Sequence, residues 1–543
     1  MFVGPRRLVA VLCVCLAVGV AGCGRDASED TPPSPKKASA GKKIEPADTP
    51  DCCEVDRGKL LAAGADTKVV GKIGSESPLF GGTPQRNMVN PLDKGVPTEW
   101  NVEEGKLKNV KWVAKLGNKA YGGPVIAGGR VYVGTNNADP RDRAVKDKKK
   151  AVLMCFNEAD GAFLWQSTHD IPADDIFDDV RTLGLLSTPA VDADRVYYVT
   201  PGGEVIAADA KTGKAMWRYH MRKELKVQPF HCCNCSPLVV GGRVFVVTGN
   251  GVDGDGKVAN PKAPSFIALD KDKGTLLWQS DLPGDRIIEG QWSNPAYAEV
   301  DGKGQVIFPG GDCWLYALEP DTGKLIWKFN CDPRRPKGAD GDRIISNYMI
   351  ATPVVHDNKV YIGLGVYPEH GMGTRFSYVV CVDITKKGDV SSVDLAAKNP
   401  KNKDSALGWA FGGPINPKPA KGRPVYFGST ISTCAVHDGL VYITEERGYM
   451  HCLDAKTGAR QWEHDFLTSI WGSPYWVDGK IYVGTEDGEI VIFAHGRQKA
   501  EVGKISMEEQ VQSTPVVANG TLYLMTRSKL YAVAKGGAAT GAK

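Results

Sequence analysis

Ala207-Ala208-Asp209-Ala210-Lys211-Thr212-Gly213-Lys214-Ala215-Met216-Trp217 is the stretch on which the fold turns. It places a small residue, an acidic residue two positions on, a glycine four further and a tryptophan four beyond that. The same spacing returns at Cys155, Asn157, Gly161 and Trp165, and at Ala268, Asp270, Gly274 and Trp278. It returns again at Ala317, Glu319, Gly323 and Trp327, and at Cys452, Asp454, Gly458 and Trp462. Repetition at fixed spacing marks a repeat architecture. Each copy reads as two strands joined by a tight turn: the acidic residue closes one strand, glycine supplies positive φ, and the tryptophan opens the next strand. An indole at that point is large enough to cover a small residue next to it, and burying one is worth roughly 3–5 kcal/mol.

A second element precedes each copy: a small or polar pair, a proline, a Gly/Asp turn and an aromatic-rich strand. It is seen at Ser187-Thr188-Pro189 before Val196-Tyr197-Tyr198, at Ser236-Pro237, Ala351-Thr352-Pro353, Gly472-Ser473-Pro474 and Ser513-Thr514-Pro515. Gly123-Pro124 and Asn294-Pro295 open two more, and Cys434 replaces the proline in another. Val, Ile and Tyr in these runs mark strands. Four short antiparallel strands per repeat make one propeller blade, and eight starts make eight blades. The last blade stops at Leu530-Tyr531-Ala532 without a tryptophan strand, while Val110-Lys111-Trp112-Val113 is a tryptophan strand with no blade before it. The expectation is an all-β, single eight-bladed propeller over 110–535, closed by the Trp112 strand. Trp112, Trp165, Trp217, Trp278, Trp327 and Trp462 are its docking residues. Two blades depart from the pattern: one carries a long insertion between Asp383 and Trp409, and the one at Glu489 to Lys504 lacks turn glycine and tryptophan and is expected to be the loosest.

The chain has 543 residues, 63 Gly and 34 Pro, and a formal net charge of +4. A large all-β architecture can occupy that length as one domain. No Lys/Arg tract is interleaved with aromatics, which excludes an evident nucleic-acid face. Residues 1–22 read as a lipoprotein signal peptide: Arg6-Arg7, an apolar run from Leu8 to Val20, then Val20-Ala21-Gly22-Cys23. The run is short for a membrane span. Val20 to Cys23 resembles a bacterial lipobox, which makes Cys23 the lipidated residue, and Gly24 in place of Asp favours outer-membrane sorting. Residues 23–75 are rich in Lys, Pro, Ala, Ser and Asp, the composition of a disordered tether. Residues 76–109 are a lead-in and 536–543 a flexible tail.

The repeats from Val110 to Lys535 resemble those of the quinoprotein superfamily that binds pyrroloquinoline quinone (PQQ). Phe80-Gly81-Gly82-Thr83-Pro84-Gln85-Arg86-Asn87 is similar to the lead-in of envelope proteins in that group. The resemblance implies that each indole docks between the turn glycine and the small residue of a neighbouring motif. It also implies two function classes: a non-catalytic, lipid-anchored envelope scaffold of BamB-like layout, or a PQQ- and Ca²⁺-dependent oxidoreductase acting on alcohols or sugars. Fold alone does not choose between them. An enzyme of this kind needs oxygen ligands for the metal, a carboxylate base and an aromatic floor. No catalytic set and no Cys-x-x-Cys-His stands out in the sequence, so the scaffold reading is preferred, with an envelope protein or polymer as partner.

Four residues are candidates for an axial ligand site. Cys232 and Cys233, in His231-Cys232-Cys233-Asn234-Cys235, precede a first strand. An adjacent-cysteine disulfide is known in the quinoprotein alcohol dehydrogenases. Against it, Cα atoms 3.8 Å apart lie below the usual disulfide range. Buried thiols, a bridge to another cysteine and a metal site remain the alternatives. Trp292 and Trp471 also precede first strands and are candidates for a stacking floor; Trp476 lies nearby in sequence. Cys155, Cys381 and Cys452 stand where other blades have alanine and read as buried slot-fillers. Cys313 and Cys331 are candidates to pair. Asp174, Asp175, Asp178 and Asp179, and separately Asp253 and Asp255, read as solvated loops without calcium-loop spacing. His356, His370 and His437 read as loop histidines.

Overall fold

The computed structural model describes residues 76–538 except 173–179, 334–346, 348, 366–376, 394, 396–402 and 414–426. Eight antiparallel sheets within it form the eight-bladed β-propeller that the repeats predict. Blade 2 shows the plan: Ala190–Asp192, Arg195–Val199, Glu204–Asp209 and Ala215–His220 pair in that order from the axis outward. Blade 8 takes Val516–Ala518, Thr521–Met525 and Lys529–Val533 from the end of the chain, and its outer strand is Val110–Lys115. Trp112 pairs there with Ala532, so the two chain ends share one sheet. The strands read as near-continuous apolar runs because both faces of a blade are buried. Val131 and Val133 of blade 1 pack with Tyr523 and Ala532 of blade 8, while Tyr132 between them packs with Val196 and Ala208 of blade 2.

The blade-to-blade joint is an indole on a glycine. A Cβ at Gly161 would stand 2.6 Å from the Trp112 ring, at Gly213 2.4 Å from Trp165, at Gly274 2.5 Å from Trp217 and at Gly323 2.6 Å from Trp278. Each of these glycines has φ between 67° and 71°, so the turn and the close approach both demand glycine. The indole N–H then donates to the carbonyl just after the motif's Asp, Asn or Glu: Trp112 to Glu158 (2.9 Å), Trp165 to Ala210 (3.3 Å), Trp217 to Lys271 (3.0 Å) and Trp278 to Pro320 (2.8 Å). An aromatic side chain on the second strand of the same blade flanks the ring, as Tyr132 does Trp165 at 5.9 Å.

Two joints depart from this plan, and one that follows it was not read from the sequence. Trp409, absent from the docking set read from the sequence, seats on Gly458 at 2.6 Å and donates to Ala455 O. Trp327 is buried but held differently: Lys387 occupies the position of the turn glycine in blade 5, leaving no seat, and the indole donates to Gln305 Oε1 of its own blade. The insertion after Asp383 instead lays Gly388–Asp389 alongside it as a fifth, parallel strand. Trp462 donates to Gly496 O, since blade 7 lacks the motif. Blade 7 is nonetheless supported from outside. Trp100 of the lead-in is buried in one cluster with Tyr482 and Ile492 of blade 7 and Val533 of blade 8, and Tyr482 donates its hydroxyl to Pro97 O.

Near the axis a second joint runs around the ring. The residue before each blade's first proline bonds its counterpart in the next blade. Thr188 N donates to Ser236 Oγ, Ser236 N to Asn294 Oδ1 and Asn294 Nδ2 to Thr352 Oγ1. Thr352 N continues to Thr433 Oγ1, Thr433 N to Ser473 Oγ and Ser473 N to Thr514 Oγ1. Blade 1 carries Gly123 at this position.

The lead-in closes one end of the axis. Ser77 bridges Ile126 of blade 1, and Val191 N of blade 2 donates to Pro78 O. Arg86, fully buried, donates to Ser236 O and Pro237 O of blade 3 and to Pro295 O of blade 4. Tyr297 N reaches Pro84 O, Val355 N reaches Gln85 O, and Asn87 makes a two-way amide pair with Val436 of blade 6. Val89–Asn90 then pairs with Trp476–Val477 of blade 7, and Asn90 Nδ2 donates to Val517 O of blade 8. Residues 77–90 therefore meet the inner strand region of every blade and satisfy edges that would otherwise be open. Burial lowers the Arg86 pKa to about 10, which leaves it charged at neutral pH.

Replacing Trp112 with alanine is expected to cost about 3–5 kcal/mol in equilibrium denaturation. A loss below about 1 kcal/mol would show that the ring does not depend on this seal.

Candidate functional site

With the plug at one end, the other end of the axis lies where the chain enters the inner strands. The inner strand runs from the polar belt to the plug in about three residues, roughly 10 Å. Two positions before each belt residue stand Tyr121, Leu186, Asn234, Trp292, Ile350, Ile431, Trp471 and Gln512, one from each blade. All eight are partly exposed, and the residue after each is buried. The repeat thus builds a collar of mainly apolar and aromatic side chains around the axis. Trp292 and Trp471, expected to face the axis, both belong to it.

The structure does not join them into one floor. Trp471 meets Tyr121 at 6.2 Å, reaching past blade 8. Trp292 lies against Phe230 at 5.9 Å and His231 at 6.1 Å, donates to Phe230 O, and rests where Gly290 leaves space. Trp476 is not a collar residue: it is buried at the plug end, with its ring 3.7 Å from that of His437. His356 and His437 end inner strands rather than sitting in loops, and His370 lies outside the described residues.

Cys232 and Cys233 are buried rather than lining the collar. The Cys233 thiol donates to Thr248 O at 3.1 Å and sits in a slot where Cβ atoms on Gly203 and Gly249 would each come within 3.3 Å of its sulfur. Cys235 Sγ accepts from Val247 N, and burial pushes its thiol up to about 12. Cys155, Cys381 and Cys452 are buried thiols pushed up to about 12 by burial, as expected of slot-fillers. The candidate pair Cys313 and Cys331 lies at the ends of adjacent strands, where Cys331 N donates to Cys313 O, and Cys331 is a free thiol.

Turns between second and third strands share the collar's end of the molecule, because neighbouring strands alternate in direction. Asp312 in that turn of blade 4 has a fully buried side chain, and burial raises its pKa against hydrogen bonds from Tyr316 (2.7 Å) and Arg286 (3.1 Å). Asp253 Oδ1 accepts from Asp255 N and Lys257 N, which accounts for that loop as a turn. Asp174, Asp175, Asp178 and Asp179 lie outside the described residues. Among the described residues no group of three or more His, Cys, Asp or Glu converges as a metal site. A cleft of about 70 Å³ lies between Pro201, Arg222, Phe230 and Asp253. Typical small-molecule pockets hold about 300 Å³ or more.

Fold and collar together define a PQQ-type propeller protein. The family model described as outer membrane protein assembly factor BamB matches residues 149–390 and 375–541, and the chain belongs to that family. It is 28% identical over 260 residues to quinohemoprotein alcohol dehydrogenase ADH IIB of Pseudomonas putida, covering 38% of this chain and 35% of that one. It is 22% identical over 240 residues to BamB of Yersinia pestis, covering 43% and 49%. The chain thus spans from about a third to half of these relatives. A europium-containing methanol dehydrogenase structure is similar in fold, with a TM-score of 0.51, 14% identity, and coverage of 85% of this chain and 98% of that one.

Several buried side-chain polar atoms among the described residues have no hydrogen-bond partner, and His451 is the case in which a whole titratable ring is left without one. His451, on the third strand of blade 6, is fully buried among Phe411, Phe427 and Tyr449, and neither ring nitrogen has a partner. Burial lowers its pKa to about 3. Below about pH 6.5 the unfolded chain binds a proton that the native ring refuses, so stability falls as pH drops, by about 1.4 kcal/mol per unit. His451→Phe is expected to lose about 2 kcal/mol less than the parent between pH 7 and 5 in denaturant titrations. Equal losses would contradict the buried neutral ring.

Proposed function

We propose that this protein is a non-catalytic binding module of the bacterial cell envelope, a lipid-anchored propeller that holds an envelope protein or polymer on its loop-built collar face. The observation that carries this reading is that three of the side chains a quinone site could recruit are already committed to the protein itself. The Cys233 thiol is bound to Thr248 O, Trp292 is packed on Phe230, and the Asp312 carboxylate is held by Tyr316 and Arg286. PQQ needs an open aromatic face and oxygen ligands for Ca²⁺ beside it, and these described residues do not fit that group. Membership of a family described as an outer membrane protein assembly factor supports a partner among proteins of that machinery. It also supports the periplasmic side of the outer membrane as the location, and the lipobox-like Val20–Cys23 supports Cys23 as the anchor. The second reading, a PQQ- and Ca²⁺-dependent alcohol or sugar dehydrogenase, is favoured by the similarity to the Pseudomonas putida enzyme.

Titrating purified protein with PQQ and Ca²⁺, followed by tryptophan fluorescence, is expected to give no saturable quenching and no dye-linked alcohol oxidation. Saturable binding that is lost in Trp471→Ala would overturn the proposal. Cross-linking in intact cells is expected to recover an outer-membrane assembly protein; recovery of none would count against the scaffold reading. Cys23→Ser is expected to move the protein from the membrane to the soluble periplasmic fraction, and retention in the membrane would exclude the anchor.

A further inference from the structure

Where the lead-in crosses blades 6 and 7, titratable groups from four separate elements gather around one indole. The His437 ring, at the end of blade 6's inner strand, lies 3.7 Å from the Trp476 ring at an interplanar angle of 38°. His495, just past the third strand of blade 7, is 5.7 Å from His437 and edge-on to Trp476 at 5.8 Å. Its Nδ1 bonds the Tyr442 hydroxyl at 2.9 Å, and its Nε2 lies 3.7 Å from Asp438 Oδ2. Lys94 of the lead-in places its ammonium 5.9 Å from the Trp476 ring centroid. His356, with Asp357 beside it, faces the group from the inner hairpin of blade 5.

The same few residues attach the lead-in. Asn87 pairs with Val436, the neighbour of His437; Trp476 N donates to Met88 O; Val89–Asn90 pairs with Trp476–Val477; and Gly95 N donates to Asp478 Oδ2, which Lys480 also holds. We propose that His437, His495 and Asp438, gathered with Lys94 around Trp476, form an acid-sensitive latch that holds the 88–95 stretch on the propeller at neutral pH and loosens it on acidification.

Charge balance gives the direction. Neutral imidazoles stack on the indole without penalty. Protonating both would set two cations beside Lys94, with Asp438 as the nearby carboxylate and Asp357 paired to His356. The ring face of Trp476 offsets part of this by cation–π attraction. Burial is the leading cause that lowers both histidines; for His437 the charges of His495, His356 and Lys94 add to it, while Asp438 opposes it for each. A histidine lowered in the native state costs stability once pH falls below its ordinary value near 6.5. The cost falls first on the closed latch, since letting 88–95 lift away separates Lys94 from both rings and lets water reach them.

Hydrogen exchange of the intact protein, with rates corrected for the intrinsic effect of pH, reads the latch directly. Between pH 7.5 and 5.5, peptides covering 88–95 are expected to lose about fivefold or more of their protection. Repeating the comparison in a His451→Phe background removes the general acid sensitivity of that ring, so that the third strand of blade 6, Tyr449–Asp454, is expected to keep its protection there while 88–95 loses it, which separates a local opening from a global one. His437→Gln combined with His495→Gln is expected to abolish the change. Lys94→Gln, an exposed substitution that leaves the rings in place, is expected to shrink it. Equal protection of 88–95 at the two pH values would overturn the proposal, as would a response in these variants as large as the parent's.

Discussion

Everything in this molecule hangs on an indole seated where glycine has no side chain. The seat is geometric before it is energetic: with a Cβ 2.4–2.6 Å from the ring, no other residue fits at Gly161, Gly213, Gly274, Gly323 or Gly458. Turn and seat therefore share one glycine, and the indole N–H fixes the ring's orientation by reaching the carbonyl next to it. Because each tryptophan belongs to one blade and each glycine to the next, the motif links sheets in a fixed rotational sense and closes only when the last blade meets the first. Trp112 on Gly161 makes that closure, and Glu158 reinforces it by accepting Asn519 Nδ2 and the Tyr523 hydroxyl.

The outer joint alone would leave a ring with open inner edges. The polar belt joins blade to blade near the axis, and the lead-in from Ser77 to Asn90 takes up backbone groups that the inner strands expose. Arg86 is the boldest element of that plug. A guanidinium buried without a carboxylate partner is costly, and it is tolerated because four carbonyl contacts surround it. The collar lies at the other end of the axis, where the same repeat places Trp292 and Trp471 on separate neighbours.

Much of this was legible in the residues. Spacing of glycine and tryptophan carried blade number, order and closure, because each constraint is local to eleven residues. Trp409 was missed because the insertion after Asp383 breaks that spacing while leaving Cys381 and the seat on Gly458 intact. Trp327 kept the spacing and lost its seat, since the glycine that decides its fate belongs to another blade. The polar belt was visible as a small or polar residue before each proline, but its partner lies some 40 to 80 residues away, beyond any local pattern. Trp476 shows the same limit: three residues past the belt, it lies at the opposite end of the inner strand from Trp471. The nine described cysteines are all buried, which composition cannot report, and Cys331, a candidate to pair with Cys313, fills a core slot.

The central claim is that seated indoles, rather than the sheets alone, tie the ring together. It is tested most directly by hydrogen exchange on Gly161→Val, which places a side chain where the Trp112 ring sits. The account predicts a joint loss of protection in Val110–Lys115 and Lys529–Val533 of blade 8 and in Lys150–Asn157 of blade 1. If exchange rises only in the turn around Gly161 and blade 8 keeps its protection, the indole is not the seal.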